Sequence, residues 1–170
     1  MENERVIMFE VGDMIVYGRT GVCRVERIEE NKGQKYYALR PLYQSCSILT
    51  PVEGKIFMRP VISRAEAEAL IDTLPALEAQ PCEGKAMREL TEHYQSSIDS
   101  HDCKTLAVMT KSIYTKKRLA EREKRKFGAV DERFMKEGEA LLFGELAVAL
   151  EISMEEVRGY IGNRLAGVGS

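Results

Sequence analysis

The sequence has few of the groups that enzymes use for chemistry. It contains two histidines, His93 and His101, and none of the motifs GxxxxGK[ST], GxGxxG or GxSxG. Those motifs cradle phosphates, bind dinucleotides or expose a nucleophilic serine. The tripeptide HDC at 101–103 contains groups that could form a nucleophilic or metal site. Adjacent side chains point in different directions, however, so we interpret His101 and Asp102 as a loop and a helix cap. We therefore expect a binding protein without catalytic activity and without a cofactor.

Cysteine pairs and long apolar runs are also missing. The four cysteines lie far apart and form no CxxC pair, which argues against zinc and against a disulfide framework. No run of about 18 apolar residues is present, and the start MENERVIMFEVGD lacks the apolar core of a secretion signal. We expect a cytoplasmic protein with reduced thiols and no membrane partner.

Charge is nearly balanced over the chain but not along it. The net charge is −2, whereas residues 111–126 contain eight Lys or Arg and two Asp or Glu, a local charge of +6. Such a run can attract nucleic acid even on an acidic protein. It can equally be a solvated helix face, and the charge count alone does not separate the two.

The first third of the chain has the pattern of short strands. Segments rich in β-branched and aromatic residues alternate with glycine, asparagine and proline, including a turn at Asn31–Gly33. The predicted strands are 14–18, 22–28, 35–42, 47–51 and 56–61. Five short strands in under sixty residues predict a small Tudor or SH3-like barrel. Pro51 favours a sheet edge for the fourth strand, which could accept a strand from a partner, although Pro51 could also simply end a strand whose Ile48 faces the core.

From Ser63 the pattern becomes helical. Ser63 and Glu66 form a capping box, and Pro75 stops the helix that follows. Three further helices are predicted at 85–98, 103–124 and 132–150, and a second capping box at Ser153 opens a fourth. The predicted class is therefore α+β, with a β domain at 1–74, a linker at 75–84 and a helical bundle at 85–166.

The cations of the helix at 103–124 recur at helical spacing. Lys111, Arg118, Arg122 and Arg125 are separated by seven, four and three residues, which predicts one shared face. Lys116, Lys117 and Tyr114 lie beside it. Such a face could hold several phosphates, each adding affinity that depends on salt and not on sequence.

Two motifs at opposite ends of the chain resemble one family. VGDMIVYGRTGVCRVERI at 11–28, followed by YYAL and the short strand ending in Pro51, resembles the amino-terminal module of the CarD/CdnL family of bacterial transcription regulators, which transcription-repair coupling factors share. DERFMKEGEALLFGELAVAL at 131–150 and IYTKKR at 113–118 resemble the helical part of that family. The resemblance covers about residues 8–161.

The resemblance implies a function and a set of residues. Such regulators bind the RNA polymerase β subunit through a strand edge, bind promoter DNA near the −10 element and modulate open-complex stability. The polymerase contacts implied here are Arg27, Ser47, Ile48, Leu49, Thr50 and Pro51. The DNA contacts implied are Met87, Arg88, Lys111, Tyr114, Lys116, Lys117, Arg118 and Arg133. We expect a monomer.

The chain departs from the family at the DNA wedge. Many relatives place a tryptophan at the start of the first DNA-binding helix, and this chain has no tryptophan. Met87 falls near that position, and methionine can wedge between base steps although it stacks less well than indole. Two alternatives stay open: a polymerase-binding adaptor without wedge activity, and an unrelated Tudor-like module whose Tyr36, Tyr37 and Tyr43 hold a cation or a base.

Overall fold

The computed structural model describes residues 8–82 and 85–168. The chain forms two compact units, the first ending at Val61 and the second beginning at Ile62. Each has its own apolar core. We call them the β domain and the helical domain.

The β domain is a five-stranded antiparallel sheet in the order β4-β3-β2-β1-β5. The strands lie close to their predicted positions because alternating apolar residues and glycine turns define them locally. Their bounds are β1 Met14–Tyr17, β2 Gly21–Asn31, β3 Gln34–Pro41, β4 Ile48–Pro51 and β5 Met58–Pro60.

A tight hairpin and a bulge shape this sheet. Lys32 and Gly33 connect β2 to β3 with φ of 52° and 79°, the backbone that a two-residue hairpin requires. The register of β2 against β3 shifts between Val25 and Arg27, and such a bulge increases the local twist. Tyr37 lies fully buried in the core beneath the sheet.

The helical domain contains, among the described residues, five α-helices. Two short 3₁₀ turns, Leu74–Ala76 and Met154–Glu156, accompany them. Asp102 caps α3 by accepting a hydrogen bond from the Thr105 amide at 3.1 Å, as the sequence predicts. The helix bounds are α1 Arg64–Thr73, α2 Met87–Asp99, α3 Cys103–Arg122, α4 Ala129–Leu150 and α5 Val157–Val168.

The first helix lies in the helical domain, whereas the sequence places the domain boundary after it, at residue 74. Ala67 and Ile71 of α1 are fully buried in the helical core. Arg164 of α5 forms a bidentate ion pair with Asp72, at 2.7 and 2.9 Å. Capping and periodicity identify α1 as a helix but carry no information on which core its apolar face meets.

The segment expected to be an interdomain linker is attached to α3 over its described part, residues 75–82. Lys111 donates to the main-chain carbonyl of Leu74, directly after α1. The main-chain amide of Gln80 donates to the Ser112 hydroxyl at 2.8 Å. Lys116 donates to the Cys82 carbonyl at 2.8 Å. We call residues 75–82 the strap; the remaining linker residues, 83 and 84, lie outside the described residues.

Candidate functional site

The predicted partner strand lies at the edge of the sheet. Strand β4 pairs with β3 in antiparallel register, with Leu49 opposite Ala38 and Thr50 opposite Tyr37. In the strand order of the described residues, nothing lies beyond β4. An edge strand of this kind keeps a row of main-chain groups available to a second chain.

The register shows which main-chain groups face outward. The Val52 amide donates to the Lys35 carbonyl at 3.0 Å, one step beyond the pairing of Pro51 with Tyr36. Hydrogen-bonded pairs alternate with non-hydrogen-bonded pairs in an antiparallel ladder, so Leu49 and Pro51 direct their main-chain groups away from β3. Proline at 51 therefore costs no ladder hydrogen bond.

The side chains of β4 divide between core and solvent. Thr50 is buried and accepts a hydrogen bond from the Tyr17 hydroxyl at 3.1 Å, while Ile48 packs on the core. Leu49, by contrast, is 58% exposed, and Ser47 is exposed just before the strand. Thr50 and Ile48 hold the strand, and Leu49 offers both an apolar side chain and main-chain groups at the open edge.

Arg27 shares the outer face of the sheet with Leu49. Arg27 pairs with Ala38, which pairs with Leu49, so the three residues form one row across β2, β3 and β4. The guanidinium of Arg27 lies 2.9 Å from Glu29, and both side chains are exposed to solvent. An exposed pair of this kind is weak and can exchange partners.

In the helical domain, two of the predicted DNA-binding lysines have internal partners. The Lys111 ammonium donates to the carbonyls of Leu74, Pro75 and Leu77, at 2.9, 3.3 and 2.6 Å. An ammonium has three donors, so these carbonyls use all of them. Lys111 fixes the start of the strap against α3.

Lys116 belongs to a cluster of polar side chains inside the domain. Its ammonium lies 2.9 Å from both carboxylate oxygens of Asp131, and its side chain is only 13% exposed. Asp131 also accepts the Tyr94 hydroxyl at 2.5 Å. Burial, followed by this hydrogen bond to Asp131, raises the pKa of Tyr94 far above its usual value, so the phenol stays protonated. We call these three residues the Lys116 cluster.

The other predicted DNA-binding cations of α3 differ in exposure, and Lys117 is half-buried. Arg118 is exposed, and Lys117 lies 5.9 Å from the centroid of the Tyr114 ring. The Tyr114 hydroxyl accepts a hydrogen bond from Arg158 at 3.4 Å. The helix ends at Arg122, because the chain turns at Lys124 with φ of 55° and the Arg125 amide bonds back to Ala120. Arg125 therefore lies beyond the predicted helical face.

The remaining predicted residues are exposed near the starts of α2 and α4. Met87, the first residue of α2, is 71% exposed, and Arg88 pairs with Glu92 at 3.2 Å on the surface. Arg133 is exposed in the first turns of α4, with its guanidinium 4.9 Å from the Phe134 ring centroid. An exposed methionine at a helix start fits the predicted wedge position.

Two other kinds of site are absent from residues 8–82 and 85–168. No group of three or more His, Cys, Asp and Glu side chains there could hold a metal ion. Within the same ranges, no helix has the length and apolar character needed to cross a bilayer.

The comparison with known families concerns the β domain. The model of the CarD-like/TRCF RID domain matches residues 9–62, which include all five strands. These residues form a CarD-like/TRCF RID domain. The RID family is a family of RNA-polymerase-interacting domains, and the match agrees with the family predicted for this part of the chain. No curated protein matches the chain.

The RID match separates what is established from what stays a prediction. It ends at residue 62, so the resemblance of the helical domain to CarD is untested by it. It favours polymerase binding over an unrelated Tudor-like module, and the structure agrees in one respect: Tyr37 packs in the core instead of lining a ligand site. Tyr36 is half-buried and Tyr43 is exposed.

Sequence reasoning misses the partners that bind the lysines. It assigns no role to Tyr94 and predicts a helix that begins at residue 132, whereas α4 begins at Ala129 and Asp131 is buried in its first turn. No local signal links Lys116 to a carboxylate 15 residues later. A buried carboxylate in a first helical turn becomes visible only when the helices are packed.

Proposed function

We propose that the chain is a CarD-like bacterial transcription regulator that acts in the cytoplasm as a monomer without catalytic activity. Its RID domain binds the RNA polymerase β subunit through the β4 edge, and its helical domain binds promoter DNA near the −10 element. Together these contacts modulate the stability of the open complex. The observation that carries the proposal is the outward-facing main chain of Leu49 on a RID domain.

The open edge suits strand addition. A strand of the β subunit would pair with the main chain at Leu49 and Pro51, while the Leu49 side chain would fill a pocket of that partner. Arg27 lies in the same row of the sheet and would contact acidic groups next to that strand. Main-chain pairing would supply the affinity, and these two side chains would supply specificity.

The cations at or near the surface of the helical domain suit weak DNA binding. Lys117, Arg118 and Arg133 supply positive charge, and Arg88 can leave Glu92, because an exposed pair contributes about 0–1 kcal/mol. Docking on polymerase raises the local concentration of the helical domain at the promoter, so weak contacts suffice. This tethering explains how a chain with a net charge of −2 acts on DNA.

The polymerase contact is tested with Leu49→Glu in the full chain. We expect it to weaken binding to the isolated β subunit at least tenfold in biolayer interferometry, because a carboxylate would be buried against the partner strand. The matched control is Ile56→Glu, since Ile56 is also exposed and precedes β5 at the opposite edge of the sheet. Equal losses in the two variants would contradict docking at β4.

The DNA contact is tested by the lifetime of open complexes on a panel of promoters. We expect Met87→Ala to remove most of the change in lifetime that the wild-type chain causes, with polymerase binding unchanged. If Met87→Ala behaves as wild type, the wedge is refuted.

The second candidate function is an adaptor that binds polymerase but does not act on DNA. It is favoured by the internal partners of Lys111 and Lys116, which remove two of the predicted phosphate contacts. Charge reversal at Lys117 and Arg118 separates the candidates. An unchanged open-complex lifetime would support the adaptor.

A further inference from the structure

Lys116 is in a different environment from the cations that follow it in sequence. Lys117 and Arg118 face solvent or an aromatic ring, whereas Lys116 is bound to Asp131, whose own side chain is 8% exposed. Burial removes much of the hydration of this ammonium, and the pairing with Asp131 compensates for that loss. Exchanging Asp131 for a DNA phosphate would leave the Asp131 carboxylate buried without a counterion, with only the Tyr94 hydroxyl bonded to it. Lys116 is therefore unsuited to binding a phosphate directly.

The Lys116 cluster joins three helices at one carboxylate. Tyr94 belongs to α2, Lys116 to α3 and Asp131 to α4, and both donors reach the same Asp131 oxygen, at 2.5 and 2.9 Å. The Tyr94 ring also packs on Phe134 of α4, with ring centroids 5.3 Å apart. These contacts connect α2 directly to α4, and connect it to α3 through the shared Asp131 carboxylate.

Met87 lies on the same side of α2 as Tyr94. The two residues are seven positions apart, which is two helical turns or about 10.5 Å along the axis, and Leu90 lies buried between them. Lys116 also binds the Cys82 carbonyl, five residues before Met87. The cluster thus restrains α2 on one side of Met87 and the strap on the other. Met87 itself is 71% exposed, so contacts of its own side chain do little to fix its position.

We propose that the Lys116 cluster is a positioning device for the start of α2, through which Lys116 acts on Met87 without binding DNA itself. The cluster fixes the direction in which α2 begins, and the exposed Met87 side chain takes its position from that helix. The consequence for promoters depends on the proposed DNA function. The positioning itself does not, and can be measured without DNA.

The test uses the absence of tryptophan from the sequence. Met87→Trp in the full chain introduces a single indole fluorophore at the start of α2. In this background, we expect Lys116→Met to lower the fluorescence anisotropy of the indole. Without the substitution at 87, the same change should speed hydrogen exchange of the Leu90 amide, which bonds to the Ala86 carbonyl, at least tenfold. Tyr94→Phe keeps the ring and the Lys116–Asp131 pair, and should speed this exchange about threefold.

The matched control is Lys117→Met, which removes the same charge one residue away. It should leave both the indole anisotropy in the Met87→Trp background and the Leu90 exchange rate unaltered. If Lys116→Met changes them no more than this control, or if Tyr94→Phe leaves both unchanged, the positioning role is overturned. Tyr94→Phe also keeps the test valid if Lys116→Met does not fold.

A second measurement separates positioning from direct contact with DNA. If Lys116 bound a phosphate, Lys116→Met would reduce the slope of log affinity for DNA against log salt by about 0.9. We expect the slope to stay unchanged while the effect on open-complex lifetime falls. A reduced slope with unchanged indole anisotropy would overturn the proposal. If the wild-type chain has no effect on open complexes, the proposed function fails, and the indole anisotropy and Leu90 exchange still decide the positioning.

Discussion

The β4 edge and the cationic helix α3 are both predicted binding surfaces, but they differ in how local their evidence is. At β4, Leu49 and Pro51 direct main-chain groups outward because of the register with β3, and alternation along one strand decides which residues do so. At α3, the eight basic residues of 111–126 look equivalent in sequence, yet Lys111 and Lys116 bind groups inside the domain. Whether main-chain groups at a strand edge are available depends on the register of that strand, whereas whether a cation is available depends on how the whole domain packs.

The largest effect that would sharpen this comparison concerns the Lys116 cluster. Asp131→Ala leaves the Lys116 ammonium buried without its counterion, which should lower the free energy of unfolding by about 3–5 kcal/mol. Urea unfolding followed by circular dichroism measures the loss. Glu132→Ala is the matched control, because Glu132 pairs with Lys136 at 3.6 Å and both side chains are exposed to solvent. Losing this pair should lower the free energy of unfolding by less than about 1 kcal/mol. Similar losses in both variants would show that Lys116 does not depend on Asp131.

The next effect compares an internal and an external cation of one helix. Lys111→Met removes the donor to three main-chain carbonyls and should lower the free energy of unfolding by about 2 kcal/mol. Arg118→Met removes an exposed cation and should change it by at most about 0.5 kcal/mol. Thermal unfolding of the two variants provides the measurement. A larger loss for Arg118→Met would reverse the assignment of the two residues.

A third effect tests the β domain through the buried thiol of Cys23. Burial, followed by the charge of Cys46, raises the pKa of Cys23 from 9.0 to about 11. Above pH 9 the unfolded thiol ionises while the folded one stays neutral, so the β domain loses stability as the pH rises toward 11. Between about pH 8 and pH 10 the thiol should account for about 1 kcal/mol of this loss. Cys23→Ala should remove that part of the pH dependence in urea unfolding, and an identical pH dependence in the two proteins would contradict it.

The smallest effect concerns two cations of α3, the half-buried Lys117 and the exposed Arg118. Replacing both Lys117 and Arg118 with alanine should leave stability almost unchanged and reduce the salt slope of DNA binding by about 1.8, from two lost phosphate contacts. Fluorescence polarisation with labelled promoter DNA at several salt concentrations measures this slope. Lys111→Met, whose ammonium binds carbonyls, should leave the slope as in wild type. A reduced slope for Lys111→Met alone would mean that the internal cation binds DNA.

Local patterns in the chain suffice to predict the kinds of element and most of their bounds, and the motif at 11–28 indicates the RID family of the first third. Strand alternation, hairpin glycines and capping boxes act over two to four residues, so Lys32–Gly33, Ser63 with Glu66, and Asp102 can be recognised without a fold. Pro51 favours the edge position of β4 without deciding it, because a proline without an amide hydrogen can also simply end a strand, and the strand order of the sheet shows the edge.

The packing of the helices, by contrast, is needed to show which core α1 joins, how the strap is held and which cations are free. These features depend on partners far apart in sequence: Arg164 with Asp72, Lys111 with Leu77, and Lys116 with Asp131. Helical period places a lysine on a face, but only the neighbouring helices show whether that face meets solvent or a buried carboxylate. Burial and pairing depend on the surroundings of a side chain, and those surroundings form only when distant segments pack together.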